Sequence, residues 1–210
     1  MGKIWDISQV LRPELPVWPG EPAFSLEQHA EISESCPVNV GGMQTGLHAG
    51  THADAPFHYA KNGPASADCD LEPYIGRCVL IDVTGAVKRV EMNDCDWGAI
   101  VGHSRVLLRT YNCFPHEAWD SQFKAIAPDV IGRMGEAGVK LIGVDAPSLD
   151  PETSKTMDAH HQVLAHDMRI LEGLVLDDVP YGAFELVALP LRIAGADASP
   201  VRAILREIAE

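Results

Sequence analysis

The chain has 210 residues, 46% of them hydrophobic, and a formal net charge of -14. That length and apolar content suit a single buried domain over residues 1–210, and the absence of a basic cluster argues against nucleic acid or an anionic membrane surface as partner.

In chain order, the N-terminal MGKIWDISQV has neither a basic start nor an apolar core. No signal peptide is therefore expected, and five cysteines without a disulfide framework make a reducing cytoplasm the expected location. Apolar patterning predicts strands from Ile4 to Ile7 and from Phe24 to Ile32. Residues 46–58, GLHAGTHADAPFH, read as a turn or irregular loop, because Gly50 and Pro56 oppose a regular helix. Further strands are predicted from Cys78 to Val83, Arg105 to Thr110, Val139 to Val144 and Phe184 to Ile193. Two of these segments, CVLIDV and KLIGVD, are nearly continuous apolar runs that fit strands covered on both faces. A helix is predicted from Pro128 to Ala137, opened by proline and closed by Gly138, and another over Asp158 to Met168. Ser199 reads as the N-cap of a third helix from Pro200 to Ile208. No apolar run approaches the roughly 18 residues of a membrane span. The sum is an α/β domain with a mixed sheet and packed helices. The five cysteines are odd in number and lack C-x-x-C spacing, which argues against a disulfide framework or a thiolate zinc site.

The chemistry concentrates in two segments. In the first, His48, His52 and His58 stand with Asp54 inside eleven residues, and His52 and Asp54 would share a face of any extended stretch. In the second, DAHHQVLAHDMRILEGLV, His160, His161 and His166 precede Glu172. One histidine in a loop is ordinarily a solvated residue; three beside a carboxylate point to a metal. His166 reads as a surface helix residue. One of His160 and His161 should face away, since adjacent helical positions diverge by about 100°. Glu172 lies between Leu171 and Gly173, where a carboxylate is usually paired, metal-bound or at a wet strand edge. Imidazole and carboxylate donors without thiolates suit a reactive zinc or manganese site.

The segment HAGTHADAPFH resembles the signature His-x-Gly-Thr-His-x-Asp-x-Pro-x-His of a family of metal-dependent hydrolases called the putative cyclase family. The likeness extends to WDIS at 5–8, VWPGEP at 17–22, IGVDAPSLD at 142–150 and HHQVL with Glu172. It implies a fold of swivelling-domain type, a homodimer and two zinc ions per subunit, with manganese or cobalt as alternatives. It further implies that His48, His52 and Asp54 hold the first ion, that Asp54 and His160 hold the second, and that Glu172 contacts both. His58 would be the general acid/base and Trp18 a substrate contact; His161, Asp145, Ser148 and Asp150 receive no role. The implied reaction is hydrolysis of an aryl formamide, N-formyl-L-kynurenine, to L-kynurenine and formate by metal-activated water, a step in tryptophan degradation. The chain has no G-x-S-x-G elbow, which agrees with a metal route. Another small amide, ester or lactone as substrate, or a metal-binding protein without turnover, are the competing readings.

Overall fold

The computed structural model describes residues 2–208. Its strands are β1 (Ile4–Asp6), β2 (Ser25–Ala30), β3 (Val40–Gln44), β4 (His52–Asp54), β5 (Ile75–Asp82), β6 (Arg89–Val90) and β7 (Arg105–Arg109). They continue as β8 (Ala125–Ile126), β9 (Leu141–Val144), β10 (Arg169–Glu172), β11 (Gly182–Val187), β12 (Ala198–Pro200) and β13 (Ile204–Glu207). The α-helices are α1 (Trp97–Ile100), α2 (Pro128–Glu136) and α3 (Asp158–Ala165). Nine strands form one sheet in the order β1-β13-β11-β5-β7-β9-β10-β4-β12. The centre, β5-β7-β9-β10, is parallel. Both flanks are antiparallel. The result is a mixed α/β fold.

The two central apolar runs alternate between two cores. Val79, Ile81, Val106, Leu108, Ile142 and Val144 face α2 and α3, where they meet Val130, Ile131, Met134 and Val163. Their neighbours Leu80, Leu107, Leu141 and Leu171 face the opposite layer with Ile7, Phe184 and Leu205. Covering both faces explains why neither run shows polar alternation. Each fully buried leucine of this kind contributes roughly 1.5–3 kcal/mol.

Helix α2 follows local rules. Pro128 sits in its first turn, and its buried residues Val130, Ile131 and Met134 form one stripe. Gly138 then adopts φ +88°, and Val139 N donates to Met134 O at 3.0 Å. This is the Schellman termination that glycine permits. Helix α3 ends at Ala165 rather than Met168 because Asp167 turns into the left-handed region, φ 50°. The strand expected over Phe184 to Ile193 ends at Val187, three residues before Pro190.

The C-terminal expectation is overturned. Residues from Pro200 to Ile208 form no helix; Pro200 closes β12, and Ile204–Glu207 make β13. Ser199 is no N-cap, since its buried Oγ accepts from Leu191 N at 2.7 Å. Ala203 and Leu205, two apart, are fully buried, and Val201 packs on the same core. That period of two decides for a strand, because β13 must bridge β1 and β11. Strands β3, β6, β8, β10 and β12 were not foreseen in the sequence, and β6 and β8 are only two residues long each. The glycines in VGGMQ mask β3, and β10 and β12 are only four and three residues long. Among the described residues, no helix is long and apolar enough to cross a membrane.

Candidate metal centre

Strand β4 lies between β10 and β12 near one end of the sheet. It thus turns part of the expected loop into a buried strand. His52 and Asp54 project from one face, and Glu172 is the register partner of His52. Directly opposed residues of an antiparallel pair share a face, so three polar side chains converge without helical geometry. His48 lies just before β4, in the turn containing Gly50 (φ 69°). His58 ends the short 3-10 turn Pro56–His58. His160 comes from the first turns of α3.

The turn and β10 are locked together. Thr51 Oγ1 donates to Gly173 O at 2.6 Å and accepts from Gln9 N at 2.9 Å. Gly173 has φ 64°. A Cβ there would lie 2.6 Å from Gly50 O, so only glycine lets the two backbones approach.

The distances define one polar nest. His48 Nδ1 lies 3.1 Å from Asp54 Oδ1. His52 Nε2 lies 3.4 Å from Asp54 Oδ1 and 3.3 Å from Glu172 Oε2. His160 Nε2 lies 3.4 Å from Asp54 Oδ2 and 3.7 Å from Glu172 Oε1. The remaining ring nitrogens are anchored outward. His52 Nδ1 is 3.0 Å from Gly50 O, His160 Nδ1 is 2.6 Å from Asp150 Oδ2, and His48 Nε2 is 3.1 Å from Asp197 Oδ2. Such anchoring fixes the tautomer and leaves the inward nitrogen with its lone pair, the arrangement that metal-holding histidines use.

A divalent cation fits this nest. His52 Nε2 and both oxygens of Asp54 are buried, yet none makes a hydrogen bond. Leaving such groups unpaired is costly unless something positive sits among them. The donors fall into three overlapping groups: His48, His52 and Asp54 in one, Asp54, His58 and His160 in another, and His48, His58 and Asp197 in a third. Glu172 stands beside both through its contacts to His52 and His160, and Leu149 N also donates to its Oε1 at 2.9 Å.

The electrostatics reflect the same crowding. Burial by itself would lower the His52 imidazole, but Asp54 and Glu172 raise it to about 10. Burial likewise opposes the charge on His160, and Asp150 and Asp54 outweigh it, again to about 10. Burial would raise the Asp54 carboxyl, but His160, His48 and His52 hold it well below the ordinary carboxylate value. The nest therefore strongly favours positive charge beside its carboxylates.

A cavity of about 410 Å³ opens onto His48, His52, His58 and Glu172. Trp18 lines it and packs edge-on against Trp119, ring centroids 5.4 Å apart, with Phe123 behind at 6.2 Å. His58 is exposed on the cavity wall, its Nδ1 3.4 Å from Asp197 Oδ2. His161 is exposed, and His166 is half-buried at the end of α3.

Two carboxylates carry geometry that sequence reasoning did not assign. Asp150 holds His160 and also accepts from the backbone N–H of Ala159 and His160. Asp197 contacts both His48 and His58. Neither stands within the histidine clusters, so no spacing could have marked it. Asp145 plays a different part: it clamps the end of β7 by accepting from Thr110 N and Oγ1 and from Tyr111 N. Ser148 lines the cavity.

A family model described as "Putative cyclase" matches residues 5–151. The chain is 70% identical to a kynurenine formamidase of Sphingopyxis alaskensis, with 100% of both chains covered. It is 56% identical to a kynurenine formamidase of Maricaulis maris over 99% of this chain and 100% of that one. A solved structure of a predicted metal-dependent hydrolase from Bacillus stearothermophilus superposes with TM-score 0.83 at 27% identity, covering 98% of each chain.

Proposed function

Because the chain belongs to this cyclase family, we propose that it is a metal-dependent amidohydrolase that cleaves N-formyl-L-kynurenine to L-kynurenine and formate. The observation that carries the reading is the set of buried, unpaired donor atoms on His52 and Asp54 beside an aromatic-walled cavity. Full-length similarity to proteins named kynurenine formamidase supports the choice of substrate.

In this reading, His48, His52 and Asp54 would hold one ion and Asp54 and His160 a second, with Glu172 beside both. Two donor groups that share Asp54 support two ions rather than one. A nitrogen and carboxylate donor set without thiolates supports zinc, with manganese or cobalt as substitutes. The ions would polarise the formyl carbonyl and make water acidic enough to attack at neutral pH.

The protein's own groups do the rest. Trp18 and Trp119, packed edge to face, form one aromatic wall of the cavity on which the aryl ring rests with its formamide toward the nest. His58 takes the proton released by the attacking water and delivers it to the departing aniline nitrogen as the carbon–nitrogen bond breaks. Asp150 and the Gly50 carbonyl keep His160 and His52 in their inward tautomers. A homodimer in the cytoplasm, serving tryptophan degradation through the kynurenine pathway, completes the proposal and rests on the resemblance.

The test is turnover of N-formyl-L-kynurenine by purified protein, compared with other N-formyl arylamines and with lactones, before and after chelation, alongside metal analysis. Turnover that prefers formylkynurenine and disappears on metal removal is expected. Full activity in cation-free protein, or preference for a lactone, overturns the reading.

A further inference from the structure

We propose that Asp197 is a positioning residue that holds His48 and His58 in register through a single carboxylate oxygen. The inference rests on the role of His58 as proton carrier proposed above. Asp197 Oδ2 lies 3.1 Å from His48 Nε2 and 3.4 Å from His58 Nδ1, and the two rings are 4.3 Å apart. One carboxylate oxygen has lone pairs enough for two N–H donors. Among the described residues, Asp197 forms ion pairs only with these two imidazoles.

The consequence for each ring differs. Accepting from His48 Nε2–H leaves the lone pair on Nδ1, the atom 3.1 Å from Asp54 Oδ1. Accepting from His58 Nδ1–H leaves Nε2 as the atom that takes and gives the proton. A free imidazole at the exposed edge of a cavity would sample both tautomers and several ring orientations. Asp197 selects one of each.

The fold fixes the backbone that carries this carboxylate. The carbonyl of Asp197 accepts from Ala55 N at 2.8 Å, and Ser66 N donates to Ala196 O at 2.9 Å. The next residue, Ala198, is the register partner of Asp54 across β12 and β4. The residue that orients the two histidines is thus stitched to the strand that carries His52 and Asp54. A displacement of either segment moves the whole constellation together.

The experiment compares Asp197→Ala, Asp197→Asn, His58→Ala and the double variant Asp197→Ala/His58→Ala with the wild type. Kinetics on N-formyl-L-kynurenine and metal release to a chromogenic chelator are both read. Asp197→Ala should lower kcat by about 10–100-fold with KM nearly unchanged, the range found when an outer partner of a site histidine is removed. Asp197→Asn keeps an acceptor oxygen and should recover at least about tenfold of that loss. In the His58→Ala background, Asp197→Ala should cost less than about threefold, because residues acting as a unit are non-additive. Asp197→Ala should also release metal about tenfold faster than the wild type, through the loosened His48. The proposal is overturned by a kcat loss in Asp197→Ala below tenfold, by a loss carried in KM, or by a full-sized further loss on top of His58→Ala. It is equally overturned by unchanged metal release or by an asparagine variant no better than alanine. Wild-type turnover in the same assay separates failure of this inference from failure of the proposed function.

Discussion

Gly173→Ala tests whether the backbone contact between the His48–His52 turn and the Glu172 strand builds the site. Two costs add. At φ 64° an alanine pays roughly 1–2 kcal/mol for the left-handed conformation. Its Cβ would also stand 2.6 Å from Gly50 O and 2.7 Å from Gln9 Nε2. Relieving that overlap means moving backbone, which costs about 1–3 kcal/mol. The total, about 2–5 kcal/mol, corresponds to a fall in Tm of about 5–15 °C for a domain of this size. The Gly50 carbonyl is the partner of His52 Nδ1 at 3.0 Å, so the same shift should loosen His52 and lower metal retention. Gly195→Ala is the control: φ is 73° and nothing lies within 4 Å of its Cβ. Only the conformational cost applies there, a fall of about 3–6 °C. Thermal unfolding and metal analysis of both variants decide the matter. Equal Tm losses in the two, with metal retained in Gly173→Ala, would refute the claim that close approach at this point assembles the centre.

Other perturbations have defined outcomes. His58→Ala should reduce kcat by about 10²–10⁴-fold while metal content stays at the wild-type level; loss of metal would instead make His58 a ligand. Trp18→Ala should raise KM more than it lowers kcat, and an unchanged KM would remove Trp18 from the substrate's path. Asp150→Asn should weaken metal binding about 10–100-fold in a chelator competition, since the amide cannot serve all three N–H donors as the carboxylate does. Burial pushes the Asp145 carboxyl from 3.8 up to about 6, against the hydrogen bonds from Thr110 and Tyr111. A carboxyl raised in the folded state favours its protonated form, so its ionisation removes stability as pH rises from about 4 through about 6. At about 1.36 kcal/mol per pKa unit the loss is on the order of 3 kcal/mol, and Asp145→Asn should flatten that part of the pH–Tm curve. A slope unchanged in the variant would show that another group is responsible.

Whatever short-range chemistry controls is legible in the order of the amino acids. The ends of α2 follow from Pro128 and Gly138, because proline's fixed φ and glycine's access to positive φ act on the nearest residues. The apolar runs of β5 and β9 announced strands covered on both faces, since no polar face was needed. The predicted strands together with the predicted helices implied a mixed α/β architecture, and the histidine segments announced where chemistry would concentrate. Features that depend on partners far along the chain take shape only in the folded molecule. Residues from Pro200 to Ile208 carry a serine–proline start that suits a helix, yet pairing of β13 with β1 and β11 outweighs that local preference. The turn around His52 became strand β4 because β10 and β12 supplied neighbours on both sides. Asp150 and Asp197 stand 10 and 139 residues from the histidines His160 and His58 that they touch. Hydrogen bonds of a few ångströms leave no periodic trace over such separations; only the sheet order brings those oxygens to those rings.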